Sequence, residues 1–552
     1  MQKVQAGFNK FLESKKAFWV VLVLIFIAAR LAVWFYPYDS DHWIFYYVGK
    51  TIAHGGLLYV NAWDHKPPII FEFNALMSLL FGGNLILHRI FLTFLTILDT
   101  FLFYKLAKIF AKVRNLGKNS AVKIARISLL LYVFWRNLAQ FASSGNNCEN
   151  FGLIFLLLML LAFFKWASDS RHRTAHSLSS RAKRSEAEGS LQNKRGKRSL
   201  HSQPALSAVE RGRNNNGIIE NYAWLFLSGI CLSILFYLKE NFALLSLPIM
   251  VEIFLISYKS LKKFVVNYLV FGLPFLLQTA FWILYFKAHN ALNDFWVAAV
   301  SFSSKYAKST WSGDVSPHKI FFLIIAPFFI ALAIFAVYLV KDIKKIKSDM
   351  FYRFILVGSL SSIAAGFGVG SFYPYYFLIG MPFFILVFAY AGNVFLKLSM
   401  LKNLVIVLIL LAMMLISFGI SNKELLNFFS GPNKADLNQY QEIANYIKAH
   451  SKPSDKIEAY TYGATLYRMA ERDAGSRYIS ASVLLLDTRD NYGFHLDDTF
   501  IGDLNKSKPK YWIISKDPNN VYYQNKKIIL YMLNHYRIEK EIGNYMVLRL
   551  KS

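Results

Sequence analysis

Eleven runs of this chain are apolar over roughly the length that a helix needs to cross the hydrocarbon of a bilayer. They fall at about 17–36, 86–111, 125–141, 150–167, 221–238, 242–258, 264–286, 318–340, 353–371, 375–396 and 402–420. Repetition on that scale implies one fold class, a mainly α, polytopic membrane helical protein of about eleven spans plus juxtamembrane helices. The first run follows MQKVQAGFNKFLESKK and lacks a small-residue cleavage site, so it reads as a retained helix rather than a signal peptide. Cys148 and Cys231 lie in or beside apolar segments without metal-ligand spacing, and no disulfide framework is expected.

The net charge of +29 is at home in such a protein, because basic residues collect in the cytoplasmic connections. A nucleic-acid partner is not implied. The side of each loop turns on one short apolar stretch, Ile69 to Phe81, which carries Glu72 and Asn74 and is too short for a span. Taken as juxtamembrane or re-entrant, it leaves KVRNLGK, the basic stretch after Trp166, YKSLKKF, KDIKKIK and KLSMLK on the side of the basic N-terminus. The expected arrangement is a cytoplasmic N-terminus and an extracytoplasmic (periplasmic) C-terminus in a bacterial inner membrane. The loop after the first span, Ser143 to Glu149, Lys239 to Asn241 and the SFYPYY turn then share the outer face.

Residues 168–217 are rich in Arg, Lys, Ser and Asn and nearly free of large apolar side chains, so a disordered basic insert in a cytoplasmic loop is expected. Binding of anionic lipid or RNA competes with the simpler reading of a tolerated insertion. From about residue 421 the composition becomes that of a soluble protein. LNQYQEIANYIKAH and KKIILYMLNHY have helical spacing, while DKIEAYTYG, KYWIIS and YMVLRL read as strands. A membrane domain over 1–420 and a soluble extracytoplasmic α/β domain over 421–552 are expected.

Chemistry concentrates between Pro37 and Glu72, PYDSDHWIFYYVGKTIAHGGLLYVNAWDHKPPIIFE. Asp39, Asp41 and Asp64, with Glu149 from a later turn, are carboxylates close to hydrocarbon, a costly place unless they are solvated or paired. Each alone is compatible with an interfacial carboxylate facing water. Gathered by topology beside Lys66-Pro67-Pro68, the set points to an active-site loop, at about 37–72. The two prolines fix the backbone that carries Lys66, and a lysine so held meets a phosphate as a point charge. Arg136 and Lys239 are further phosphate candidates, with snorkelling to the interface as the competing reading; Arg89 reads as an anchor. His42, His54 and His65 with the carboxylates leave a divalent metal open, although their spacing matches no metal signature.

The order DSDHWIFYYVGKTIAHGGLLY, WDHKPPIIFEFNALMSLLFG and HRIFLTFLTILDTFLFYKLAKIF resembles the membrane glycosyltransferases of the GT-C superfamily, in the bacterial branch similar to protein O-mannosyltransferases and the lipid A aminoarabinose transferase. NNCENFGLIFLLLMLLAFF and SFYPYYFLIGMP are similar to later pieces of that pattern, so the resemblance covers roughly 17–420. It implies a polyprenyl-phosphate sugar donor and an extracytoplasmic acceptor. It also implies a general base at Asp41, with Asp39 the alternative register, and phosphate contacts from Lys66 and Tyr376. Glu149 would bind acceptor or metal. The chain departs from the pattern where Asp41-His42 replaces a pair of acids, where His65, preceded by Asp64, replaces a glutamate before Lys-Pro-Pro, and where Tyr375 replaces a histidine. Asp64 and His65 therefore stand as acceptor or metal candidates.

The expectation is an inverting glycosyltransferase, a hexosyl or pentosyl transferase acting on a cell-envelope glycolipid or polysaccharide such as lipopolysaccharide. A lipid or sugar transporter (flippase) is the alternative, favoured by the Gly-rich SSIAAGFGVGSF but not by polar residues that cluster on one face. A non-catalytic envelope scaffold is the third.

Overall fold

A computed structural model describes residues 10–35, 40–113, 118–170, 208–312, 349–368, 373–387, 414–423, 432–461 and 464–551, with a few isolated positions besides. Among them, 6 helices are long and apolar enough to cross a membrane: Lys15–Phe35, Leu85–Ala111, Cys148–Ser170, Glu240–Ser257, Leu261–Ala288 and Met350–Phe367. Shorter apolar helices, Ile69–Phe81, Tyr222–Leu238 and Pro374–Val387, accompany them. The protein is a multi-pass, mainly helical membrane protein with a small mixed sheet in its C-terminal part. The runs at 318–340 and 402–420 lie largely outside the described residues, as does Asp39.

The outward faces of the spans explain their solvent. Leu269, Leu276, Leu277, Phe281 and Leu284 of one helix are each more than half exposed, which only lipid makes inexpensive. Inward, small residues let backbones approach: Gly229 lies against the carbonyl oxygen of Phe271, where a Cβ has no room. Gly49 does the same between the Ser40–Ala53 and Ile69–Phe81 helices, where a Cβ would meet the Asn74 carbonyl carbon at 2.5 Å.

The Ile69–Phe81 helix has 13 residues, so it extends about 20 Å, short of a hydrocarbon core of about 30 Å. Of the basic insert, 171–207 lie outside the described residues; from Ala208 the chain is helical through to Leu238. Helix thus begins inside the stretch whose composition reads as disordered. Extending a helix already nucleated by an apolar span costs little.

In the C-terminal part, β1 (Ile457–Ala459), β2 (Tyr511–Ser515), β3 (Tyr536–Ile542) and β4 (Tyr545–Leu550) form one sheet in the order β1-β2-β4-β3. β1 and β2 are parallel, and the other pairs antiparallel. Tyr511, Trp512, Ile513 and Ile514 of the central strand are fully buried. This part docks on the membrane helices through named contacts: the Trp63 N–H donates to the Arg477 carbonyl at 2.8 Å, and the Ala474 N–H donates to the Tyr47 hydroxyl at 2.7 Å. Arg468 donates to the Gly83 carbonyl at 2.8 Å.

Candidate active site

The loop between the Ser40–Ala53 and Ile69–Phe81 helices is built around Tyr59. Its φ of 68° is a left-handed conformation that a bulky residue rarely adopts, and its ring is buried between Phe286 and Phe295 at centroid distances of 5.5 and 5.9 Å. From there its hydroxyl donates to the Lys66 carbonyl at 2.7 Å. Asp64 Oδ1 accepts the Lys66 N–H at 2.9 Å, so the lysine backbone is held from both sides. The Lys66 ammonium lies 4.8 Å over the Phe45 ring. Burial works against its charge, but Asp41 and Asp64 outweigh that cost and hold its pKa well above the ordinary lysine value.

Asp41 occupies the first turn of the Ser40–Ala53 helix, where the helix dipole favours negative charge. Its surroundings are tied down by two fully buried amides. Asn74 and Asn146 exchange hydrogen bonds at 3.2 and 2.8 Å, and Asn146 Nδ2 also reaches the His42 carbonyl at 3.5 Å. These hydrogen bonds tie the short helix and the Ser143–Glu149 turn to the residue after Asp41.

Asp41 and Lys66 share the wall of a cavity of about 1620 Å³ that also takes in Asp64, His65, Lys239 and Tyr376. Glu149 joins through Lys239: Nζ meets Oε1 at 2.7 Å while lying 3.8 Å over the Tyr376 ring. Burial and the neighbouring Lys66 push His65 down to about 4 against the pull of Asp64 and Asp41, so its imidazole is neutral at neutral pH. One wall is apolar, with Phe236, Phe275, Ile283 and Val300; another comes from the C-terminal part, with Ser480, Ser482, Arg489 and Tyr522.

Arg136, a candidate phosphate contact, is set apart from the other candidates. It does not line the cavity; its guanidinium is buried and donates to Asp99 at 3.0 and 2.9 Å, while Tyr132 donates to the same carboxylate at 3.0 Å. A carboxylate one helix away pairs with the cation, so the guanidinium is held inside the protein rather than snorkelling to the interface. The metal candidates are also scattered: Asp64 Oδ1 and His65 Nδ1 are 3.7 Å apart, but among the described residues the only cluster of three ligand groups is His495, Asp497 and Asp498. Lys527 lies against both of those aspartates. Glu240, absent from the sequence-based set, also lines the cavity. Its signal was its place directly after Lys239, in a turn already assigned to the same face.

The sequence matches no family profile and no curated protein. Its fold is nonetheless known. ArnT from Cupriavidus metallidurans, bound to undecaprenyl phosphate, superposes with a TM-score of 0.52 at 12% identity over 97% of this chain and 98% of that one. The oligosaccharyltransferase of Archaeoglobus fulgidus, tethered to an acceptor peptide, gives 0.51 at 12% identity over 96% of this chain and 74% of that one. The archaeal oligosaccharyltransferase AglB from Archaeoglobus fulgidus, in complex with an inhibitory peptide and a dolichol-phosphate, gives 0.50 at 11% identity over 96% of this chain and 74% of that one. The chain thus shares the fold of ArnT and of this oligosaccharyltransferase. Within that fold class it matches the ArnT architecture over nearly the whole length of both chains.

Proposed function

We propose that this protein is an inverting glycosyltransferase that moves a sugar from a polyprenyl-phosphate carrier to an acceptor hydroxyl outside the cytoplasmic membrane. The observation that carries the reading is the pairing of Asp41 and Lys66 on one cavity wall within a GT-C fold. Asp41 takes the proton as the acceptor oxygen attacks the anomeric carbon from the face opposite the phosphate. The bond from that carbon to the phosphate oxygen breaks, its electron pair stays on the phosphate, and Lys66 stabilises the charge, with the Tyr376 hydroxyl beside it. A single displacement of this kind inverts the anomeric centre.

The apolar wall of Phe236, Phe275 and Ile283 suits a polyprenyl tail, and the wall from the C-terminal part suits a glycolipid or glycan acceptor of the cell envelope. In this reading residues 421–552 form a separate extracytoplasmic domain, the N-terminus is cytoplasmic, and the membrane is a bacterial inner membrane. Glu149 and Lys239 hold each other and shape the phosphate end rather than carry a metal. Transfer of radiolabel from a polyprenyl-phosphate sugar to an envelope extract by purified protein tests the reading. Label that stays on the carrier with every sugar and acceptor fraction offered would count against it and favour a transporter.

A further inference from the structure

The cavity holds one acidic side chain to which none of the steps above gives a task. Among the described residues that line it, the carboxylates are Asp41, Asp64 and Glu240. Asp41 is the proposed base, and Asp64 accepts the Lys66 N–H. Glu240 opens a 3-10 turn, Glu240–Ser246, and its Oε1 is buried without a hydrogen-bond partner. An unsatisfied carboxylate oxygen in a site of low dielectric is costly, so a donor is wanted there.

The protein's own nearby donors leave Glu240 Oε1 without a partner. Lys239 is committed to Glu149 and to the Tyr376 ring. The Ser303 hydroxyl lies within hydrogen-bond reach of the Glu240 carboxyl but points its proton at the His65 carbonyl at 2.7 Å, and Oε1 is still left without a partner. Lys66 turns its ammonium to the Phe45 ring. Both lysines are within electrostatic reach of Glu240, so it borders the region where a phosphate bound to Lys66 would place its sugar.

The geometry points to Glu240 as a sugar-recognition residue: its free oxygen accepts hydrogen bonds from ring hydroxyls of the sugar carried on the polyprenyl phosphate. This rests on the polyprenyl-phosphate reading and adds to it the means by which a loaded carrier is told from a spent one. After transfer the sugar hydroxyls leave with the acceptor, and the bare phosphate that remains next to a carboxylate is held less firmly, which favours its release.

Two ligand sets separate the inference from the reading beneath it. Binding to purified full-length protein in nanodiscs is measured for bare undecaprenyl phosphate and for undecaprenyl phosphate carrying glucose, mannose, galactose or 4-amino-4-deoxyarabinose. Wild type should bind the bare lipid, and at least one loaded lipid about tenfold more tightly. Glu240→Gln should lose most of that tenfold while its affinity for bare lipid stays equal or rises, and Glu240→Asp should fall between, both with wild-type melting behaviour. The inference is overturned if no loaded lipid gains over the bare one, if Glu240→Gln keeps the gain, or if both Glu240 variants unfold. Failure of wild type to bind the bare lipid at all would instead remove the polyprenyl-phosphate reading, and this inference with it.

Discussion

Lys239 Nζ and Glu149 Oε1 lie 2.7 Å apart, with side chains only 12% and 2% exposed. A pair so buried satisfies itself, and cutting one partner leaves the other charge stranded in low dielectric. Glu149→Gln or Lys239→Met alone should therefore lower stability by about 3–5 kcal/mol. The double variant should recover part of that loss. Thermal unfolding of all four proteins in one detergent checks the cycle; additive losses would mean that the two charges do not depend on each other.

Asp41→Asn should abolish proton removal and reduce transfer by about a hundredfold to ten-thousandfold, in the range of general-base contributions. Donor binding should hardly change. Lys66→Ala should weaken donor binding and lower the maximal rate together, because a cation at the phosphate acts on both ground and transition state. Rates and KM for donor, measured side by side, distinguish the two roles.

Tyr59→Phe removes a single hydroxyl that lies 2.7 Å from the Lys66 carbonyl and leaves the ring between Phe286 and Phe295. The stability loss should be about 1 kcal/mol, the net worth of one hydrogen bond. Donor KM should rise, since the Lys66 backbone then has only the Asp64 carboxylate to fix it. Tyr59→Gly should relieve the strained φ but lose the buried ring, and should be the less stable of the two. Denaturant unfolding with donor titration covers both variants.

What could be read in advance follows from the range of each physical signal. Apolar runs and a Pro-Pro start are local, so the six spans among the described residues, of about eleven expected, and the Ile69–Phe81 helix were legible. Asp41 and Lys66 draw attention in the sequence because two carboxylates and a lysine near hydrocarbon demand a reason, and both line the cavity. The pairing of Arg136 with Asp99 was not legible, because the two sit 37 positions apart in different apolar runs and nothing local reveals which faces of two helices meet. The strand β3 was missed for a different reason. Arg537, Glu539 and Lys540 give it the charged character of a sheet edge, and only Tyr536 and Ile542 at its ends are buried. The left-handed Tyr59 left no trace either, since a tyrosine there is the residue that local propensity disfavours.

Glu458 offers a test by pH. It lies in β1, 1% exposed, accepting from the Tyr467 hydroxyl at 3.2 Å and from the Ser476 N–H at 3.0 Å. Burial outweighs those hydrogen bonds and pushes its carboxyl from the ordinary 4.5 up to about 8. The folded chain thus keeps a proton that the unfolded chain releases above 4.5. Its contribution to stability is full below that value, declines as pH rises to about 8, and is flat beyond. The slope for one proton is at most about 1.4 kcal/mol per pH unit. Amides of Ile457–Ala459 should accordingly exchange with a lower protection factor at pH 8.5 than at pH 5.5, after correction for intrinsic rates. Glu458→Gln keeps the shape without the proton and should flatten the difference; an unchanged pH dependence would assign it to another group.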